Sequence, residues 1–500
     1  MVIIAYDLGT GGVKAALYDD SLKVLAKSFM EYRTYFPEAG LHEQKPSDWW
    51  NGVVESTKQL LAASHTDPQA VGAVAISGQS LTAIPIDGSG AALLERVPIW
   101  SDGRAKDEAR RFFETVDEER WYMTTGNGFP AHCYTIFKLM WMKAHQSEVF
   151  SNMKHVLGSK DYINYRMTGK ILTDHSYASG TGGYNLKEAR YQEEFWEAAG
   201  IDMDILPKIV PSDTVVGYLT EQAAKELGLT TDTAVMAGGV DNACMALGAT
   251  GIRDGAAYIS LGSSSWVPVT ACRPVLDFKT RPYVFAHIEP GMYTSAYSIF
   301  AGGSSLRWVR DNLFTEFGPQ AYGEIDRLAQ SAPVGANGIL FNPSLAGGTS
   351  QDKSVNIQGA FVGLSLLNNR ADLARSVLEG IALNLKQSIT YLQRKVQMED
   401  EILICGGGSK SAVWLQMFAD ILDVRVLKTN IDQDAASLGA AAIAAKGMKR
   451  IGSYQVIDGI HRREACYRPD RAVSDQYKTV AKRFNHLAEV LSEFGDYCGA

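Results

Sequence analysis

The stretch that most constrains this chain is Asp7-Leu8-Gly9-Thr10-Gly11-Gly12-Val13-Lys14. β-Forming apolar runs flank it, Val2 to Tyr6 before and Val13 to Tyr18 after, with turn formers between them. That pattern predicts a β-hairpin. Gly9, Gly11 and Gly12 are expected to take positive φ and bring amide N–H groups close to an anion, with the Thr10 hydroxyl and the Lys14 charge beside them. Asp7 is out of place against a phosphate unless a hydrated Mg²⁺ stands between the two. A glycine-rich turn carrying a solvated aspartate is the other reading of the same residues. Neither G-x-x-x-x-G-K-[ST] nor G-x-G-x-x-G is present at this loop.

At 500 residues the chain has room for two or three domains. A 46% hydrophobic and 21% charged composition suits globular cores, and a net charge of −8 with no basic block argues against nucleic-acid binding. No apolar run approaches a membrane span. The six scattered cysteines form no C-x-x-C pair. A cytoplasmic protein with reduced thiols, bound to neither membrane nor nucleic acid, is the expectation.

Along the chain, Val24-Leu25-Ala26 predicts a third strand. A helix begins at Ser47, with Trp50, Val53, Val54, Leu60 and Leu61 on one face. Val71 to Ile76 reads as a buried strand ending in Ser77-Gly78-Gln79. Val97 to Trp100 reads as an extended run ahead of Ser101-Asp102-Gly103-Arg104. Alternating strands and helices predict an α/β fold. From about 118 to 229 helical periodicity takes over and suggests an insertion walling a substrate pocket. Ala234 to Val240 is a strand delivering Asp241 into a small-residue helix.

The opening pattern returns half a chain later. Ala256 to Leu261 leads into Gly262-Ser263-Ser264-Ser265, read as a second phosphate hairpin opening a second domain. Gly302-Gly303-Ser304-Ser305 precedes a helix, and Asp372 to Leu392 is a long helix carrying Glu379. The strand Ile402 to Cys405 runs into Gly406-Gly407-Gly408-Ser409 and a helix, a common nucleotide-binding arrangement. Asp434 opens an Ala-rich helix, and the tail predicts an amphipathic one. The boundary falls at Gly251 to Gly255, giving domains of 1–250 and 255–500.

Several of these stretches carry a family resemblance. Asp7-x-Gly9-Thr10, Thr135 to Trp141, Gly359 to Leu364 followed by Asp372-Leu373 and Ser376 to Glu379, and Gly238 to Ala243 resemble the signatures of the FGGY carbohydrate kinases. Gly406 to Gly408 and Leu438 to Ala441 are similar to the family's adenosine-binding region. The resemblance implies two actin-like (RNase H-like) domains around a central cleft, and phosphoryl transfer from MgATP to a hydroxyl of a small sugar.

Residue by residue, the resemblance makes Asp241 the general base and Asp7 a ligand of Mg²⁺ through water. It places Gly9, Thr10, Gly11, Lys14, Gly262, Ser263 and Gly303 at the ATP phosphates or nucleotide cleft, and Gly407 and Ser411 at the adenosine. Gln79, Ser80, Leu81, Trp100, Asp102 and Arg104 fall in or beside the sugar pocket. Trp100 to Arg104 is similar to the xylulose kinases, which implies a ketopentose such as D-xylulose; another ketose, a deoxy sugar or a polyol is the alternative.

Three departures from the family pattern stand out: Gly11 where a hydroxyl residue is usual, Cys133 at the head of the first signature, and Ser80-Leu81 where xylulose kinases usually have Met-His. If Leu81 faces the sugar, a hydrogen-bond donor is lost there; if it faces the core, another residue makes that contact. A nucleotide-driven switch and a sugar-binding regulator without catalysis are the readings from other classes.

Overall fold

The computed structural model describes residues 1–499. The chain forms two compact units. The first joins Met1–Ile252, Cys272–Thr294 and Asp434–Ile460; the second takes Arg253–Ala271, Ser295–Gln433 and the stretch from His461 onward. Division in space is therefore not the linear 1–250 and 255–500 read from the sequence, because two later segments return to the first unit.

In the first unit the hairpin is β1 (Val2–Leu8) and β2 (Gly12–Tyr18), followed by β3 (Val24–Glu31), longer than its sequence suggested. β4 (Val71–Gly78), β5 (Val215–Tyr218), β6 (Ala234–Met236) and the short β7 (Gly239–Val240) complete the sheet. Its order is β5-β6-β4-β1-β2-β3, with β7 continuing β6 along β4. The hairpin strands pair antiparallel, while β4 lies parallel to β1 and β6 parallel to β4.

The helix Pro46–Ser64 covers β2 and β3, burying Trp49 as well as the expected Trp50, Val53, Val54 and Leu60. The helices Asp241–Thr250 and Ala435–Gly447 pack on each other, the latter against β1 and β4. They cross at glycines. A Cβ on Gly248 would lie 1.8 Å from the Ala435 carbonyl oxygen, and one on Gly439 2.0 Å from that of Cys244. The small residues of Leu438 to Ala441 thus build the first unit.

The stretch 118–229 is not a purely helical insertion. The helix Ser159–Thr168 packs on β4 and β6, and β5 is an edge strand of the main sheet. The helices Glu118–Thr125, Thr135–His145 and Glu193–Ala198 gather around the buried Trp121, Tyr134, Phe137 and Trp196, while Glu221–Leu227 packs into the main-sheet core.

The second unit repeats the plan. β8 (Ala257–Leu261) and β9 (Ser265–Ala271) form a hairpin, followed by β10 (Tyr293–Ile299), β11 (Glu401–Cys405), β12 (Arg425–Thr429) and β13 (Arg463–Tyr467). The six strands named here run in the order β10-β9-β8-β11-β12-β13, that of the first sheet read from β3 to β5. Here too β8 and β11 are parallel and the last pair is antiparallel. The long helix Arg370–Gln393 starts at an Asn369–Asp372 capping box. Its buried Glu379 accepts from Arg375 Nε at 2.6 Å and from Tyr477 of the last helix, Arg471–Gly499, at 2.8 Å. Among the described residues no helix is long and apolar enough to cross a membrane.

Candidate active site

The register of the first sheet brings its polar residues to one end. Asp7 sits opposite Lys14 on β2 and Ser77 on β4, and Gly239, two residues before Asp241, also pairs with Ser77. Ser77 Oγ donates to Asp7 Oδ1 at 3.3 Å. Asp241 is the first residue of its helix, where its Oδ1 accepts from the Asn242 N–H at 2.8 Å.

Both carboxyls resist ionisation. Burial pushes Asp7 up, against the pull of Lys14 and Ser77. Burial, then the charge of Asp7, pushes Asp241 up to about 7, against the Asn242 N–H. A carboxylate poised near neutrality can take a proton from a hydroxyl and give it up again. Being a helix N-terminal residue does not by itself produce this, since the dipole there favours the anion.

The glycine loop differs from expectation in its backbone. Gly9 and Gly11 do not take positive φ; Gly12 has φ 157° and carries the steric constraint, because a Cβ there would lie 2.4 Å from the Met30 carbonyl oxygen. A Cβ on Gly11 would meet no atom within 4 Å. The loop is braced from behind. Gly9 N–H donates to Gly12 O at 3.1 Å, the Tyr32 hydroxyl donates to Gly9 O, and Gln44 Nε2 donates to Thr10 O at 2.7 Å. Trp100 Nε1 donates to Thr10 Oγ1 at 2.9 Å, which fixes that hydroxyl beside a half-buried indole face.

Several residues expected at the sugar do other work. Gln79 is 1% exposed, and its Nε2 donates to Gln44 Oε1 at 2.8 Å, so it stands behind the loop as part of its brace. Asp102 is fully buried. It accepts from the His42 N–H at 2.7 Å and from Arg104 Nε and Nη2 at 2.7 and 2.9 Å; Arg104 also donates to Glu43 at 2.7 Å. This ion pair shapes the turn that carries Trp100. Ser80 is 7% exposed. Leu81 has φ 60° and packs in the aromatic cluster with Tyr134 and Ile136, so of the two readings of this position the structure shows the core-facing one. Its carbonyl and that of Ile99 each accept from the buried Lys138 Nζ at 2.7 Å.

Sequence reasoning missed Gln44 and Tyr32. Their partners lie 34 and 23 residues away, and nothing local marks them.

In the second unit the matching end of the sheet holds Gly262, Ser263, Gly303 and the Gly406–Gly408 turn. Gly303 and Ser304 N–H donate to the Gly262 and Ser263 carbonyls at 2.9 Å each, and a Cβ on Gly303 would lie 2.3 Å from Gly262 O. Arg307 donates to Ser263 Oγ at 3.2 Å. Gly406, at φ 93°, donates its N–H to Asp432 Oδ1 at 2.7 Å, and Ser409 donates to the same oxygen at 3.1 Å. Nothing lies within 4 Å of a Cβ on Gly407. Ser411 Oγ accepts from the Trp414 N–H at 3.0 Å and so caps the helix Ala412–Leu422. The Gly406–Gly408 backbone lies just ahead of it.

A β-hairpin glycine loop at the same sheet position in two like-ordered units makes this a two-unit α/β protein with a repeated glycine hairpin. Comparison with known proteins gives the family. The N-terminal domain model of the FGGY family of carbohydrate kinases matches residues 2–248, and the C-terminal domain model matches 257–448. A xylulose kinase of Staphylococcus epidermidis is 32% identical over 447 residues, 89% of this chain and 88% of that protein. The crystal structure of a xylulose kinase from Rhodospirillum rubrum superposes with TM-score 0.90 at 28% identity, over 99% and 100% of the two chains. That of a gluconate kinase from Lactobacillus acidophilus superposes with TM-score 0.91 at 26% identity, over 98% of each. The chain belongs to the FGGY family of carbohydrate kinases, and it is a sugar phosphotransferase.

Proposed function

We propose that this kinase transfers the γ-phosphate of ATP to a hydroxyl of a ketopentose, D-xylulose first among them, with Asp241 as general base. The observation that carries the reading is the Asp241 carboxyl itself, raised to about 7 beside Asp7 at the end of the first sheet. In the deprotonated form it accepts the proton of the attacking hydroxyl, a contribution of about 10²- to 10⁴-fold. The Thr10 hydroxyl and the amides from Thr10 to Gly12 serve a phosphate group in the first unit, and Gly262 and Ser263 serve one in the second. Gly303 and Gly407 present bare backbone to the nucleotide.

The residues fit a magnesium ion held chiefly by the triphosphate. Among the described residues no group of three or more His, Cys, Asp or Glu side chains is placed to hold a metal, but Asp7 is a half-buried carboxylate that a cation would stabilise. Mg²⁺ would neutralise phosphate charge there, with Asp7 reaching it through water. Phosphoryl transfer then asks the protein for positioning and charge stabilisation. The half-buried indole of Trp100, pinned to Thr10, offers an apolar face for the sugar carbons.

Gluconate is the second reading, favoured by the gluconate kinase match. An aldonic acid calls for a cation to meet its carboxylate. The buried cations nearest Trp100 are already engaged, Arg104 by Asp102 and Glu43 and Lys138 by two carbonyls. A neutral ketose suits such a site better.

The test is ADP release in a coupled assay with D-xylulose, L-xylulose, D-ribulose, a deoxyketose, glycerol and D-gluconate. Highest kcat/KM on a ketopentose supports the proposal. Highest kcat/KM on gluconate overturns the sugar assignment, and ADP release stimulated by none of them overturns the kinase reading as a whole.

A further inference from the structure

The approach to Asp241 is clamped residue by residue. The Ala237 carbonyl accepts from Lys160 Nζ at 3.1 Å and from Asn164 Nδ2 at 2.9 Å. The Gly238 N–H donates to Ser212 O at 3.0 Å, and φ 75° at Gly238 goes with a backbone so close that a Cβ would lie 2.3 Å from Ile76 O. The Val240 N–H, immediately before Asp241, donates to Ser176 Oγ at 2.9 Å. Val240 is the N-cap of the Asp241 helix and supplies no capping side chain, so this hydroxyl from a distant segment is what orients the entry to the helix.

Ser176 is itself oriented. Its hydroxyl donates to Asp174 Oδ2 at 2.5 Å, and the same oxygen accepts from the Ser176 N–H and from Ser212 Oγ at 2.9 Å each. An ionised carboxylate is an acceptor only. It therefore takes the one hydroxyl proton and leaves the Ser176 oxygen to accept from Val240. Asp174 in turn pairs with the fully buried Lys160 at 3.0 Å, which also meets Asp161 at 2.5 Å. Two carboxylates and one ammonium out of contact with water make a costly arrangement unless every lone pair is met. Besides Lys160, Asp174 is met by two hydroxyls and two amides, and Asp161 by the Thr173 hydroxyl. The cluster reaches the other side of the site as well, since Ser159 Oγ and the Tyr177 hydroxyl donate to Gln79 O at 2.7 and 2.9 Å.

We propose that Ser176, polarised by the buried Asp174–Lys160 pair, is a positioning residue that aims the Asp241 carboxylate at the acceptor hydroxyl through the Val240 amide. The proposal rests on Asp241 being the base. Ser176 touches no reacting atom, so its loss acts on turnover rather than on nucleotide affinity, and misplacement on the ångström scale costs up to about 10²-fold.

The experiment measures kcat, KM for ATP and Tm for Ser176→Ala, Asp241→Asn, the double variant and Thr173→Ala. Thr173 donates to Asp161 at 2.8 Å in the same cluster without touching the Asp241 approach. Expected are a fall in kcat of about 10- to 100-fold for Ser176→Ala with KM for ATP within about twofold, a double variant no slower than Asp241→Asn alone, and Thr173→Ala losing stability but not kcat. Additive losses in the double variant, or an equal fall in kcat for Thr173→Ala, overturn the positioning role while leaving Asp241 as base. Loss of less than tenfold in Asp241→Asn overturns the reading beneath it. If Ser176→Ala yields no folded protein, Ser176→Thr, which keeps the acceptor, is set against Ser176→Cys, a weak one; equal kcat in these two also overturns the role.

Discussion

Asp241 joins two pH dependences of opposite sign. As a base it must be ionised, so kcat/KM is expected to fall as pH drops below about 7, the value to which burial and the charge of Asp7 raise it. Asp241→Asn should lower kcat at least about a hundredfold and abolish that limb, checked by a pH–rate profile. For stability the sign reverses. A carboxyl raised in the fold disfavours its own ionisation there, so the wild type loses stability as pH rises from the unfolded value near 4 to about 7. The Asn variant should therefore gain on the wild type at pH 8 relative to pH 4, read as the difference in Tm. Leu81→His is expected to lower Tm by placing a polar ring in the aromatic cluster and to leave the ranking of sugars unchanged; a changed ranking would return position 81 to the sugar pocket. Asp7 and Asp241 stood out as candidates because each follows an apolar run ahead of glycines or small residues. The pairing of Asp102 with Arg104 was not legible, because a sequence lists charges but not which of them satisfy each other.

At the scale of elements, glycine spacing carried much information about turns and little about helix crossings. The hairpins at Gly9 to Gly12 and at Gly262 were legible because strand, turn and strand lie within about twenty residues. The contact of Gly248 with Ala435 and of Gly439 with Cys244 was not, since nearly two hundred residues separate the two helices and an Ala-rich helix packs equally well in many places. The crossing gives a sharp expectation. Gly439→Ala inserts a methyl group 2.0 Å from a carbonyl oxygen, so it should destabilise by about 1–3 kcal/mol, measured by denaturant unfolding, although alanine is the better helix former. An unchanged midpoint would show that the two helices part without cost. The helical reading of 118–229 left β5 out for a related reason: it is four residues long with one buried, too short for its period to stand out.

For the whole molecule, the non-linear division matters most. A chain cut after Ile252 retains β1 to β7 but lacks the Ala435–Gly447 helix, which covers β1 and β4 and carries Ser437, whose hydroxyl is 2.8 Å from that of Tyr18. Expressed alone, residues 1–252 are expected to bind a hydrophobic dye and to melt without a cooperative transition; a sharp two-state melt would show that the linear boundary is the physical one. The strand order repeated in the two units was only half visible, because a repeat of topology with different side chains leaves just its glycine turns as a trace. The returning helix also sets a clock on biosynthesis. Roughly 180 residues separate Ile252 from Asp434, and at about 5–20 residues per second the ribosome needs about 10–40 seconds to make them. Throughout that interval the nascent first sheet has one apolar face without its cover, so the protein's yield in a cell depends on how well that face is shielded while translation runs on.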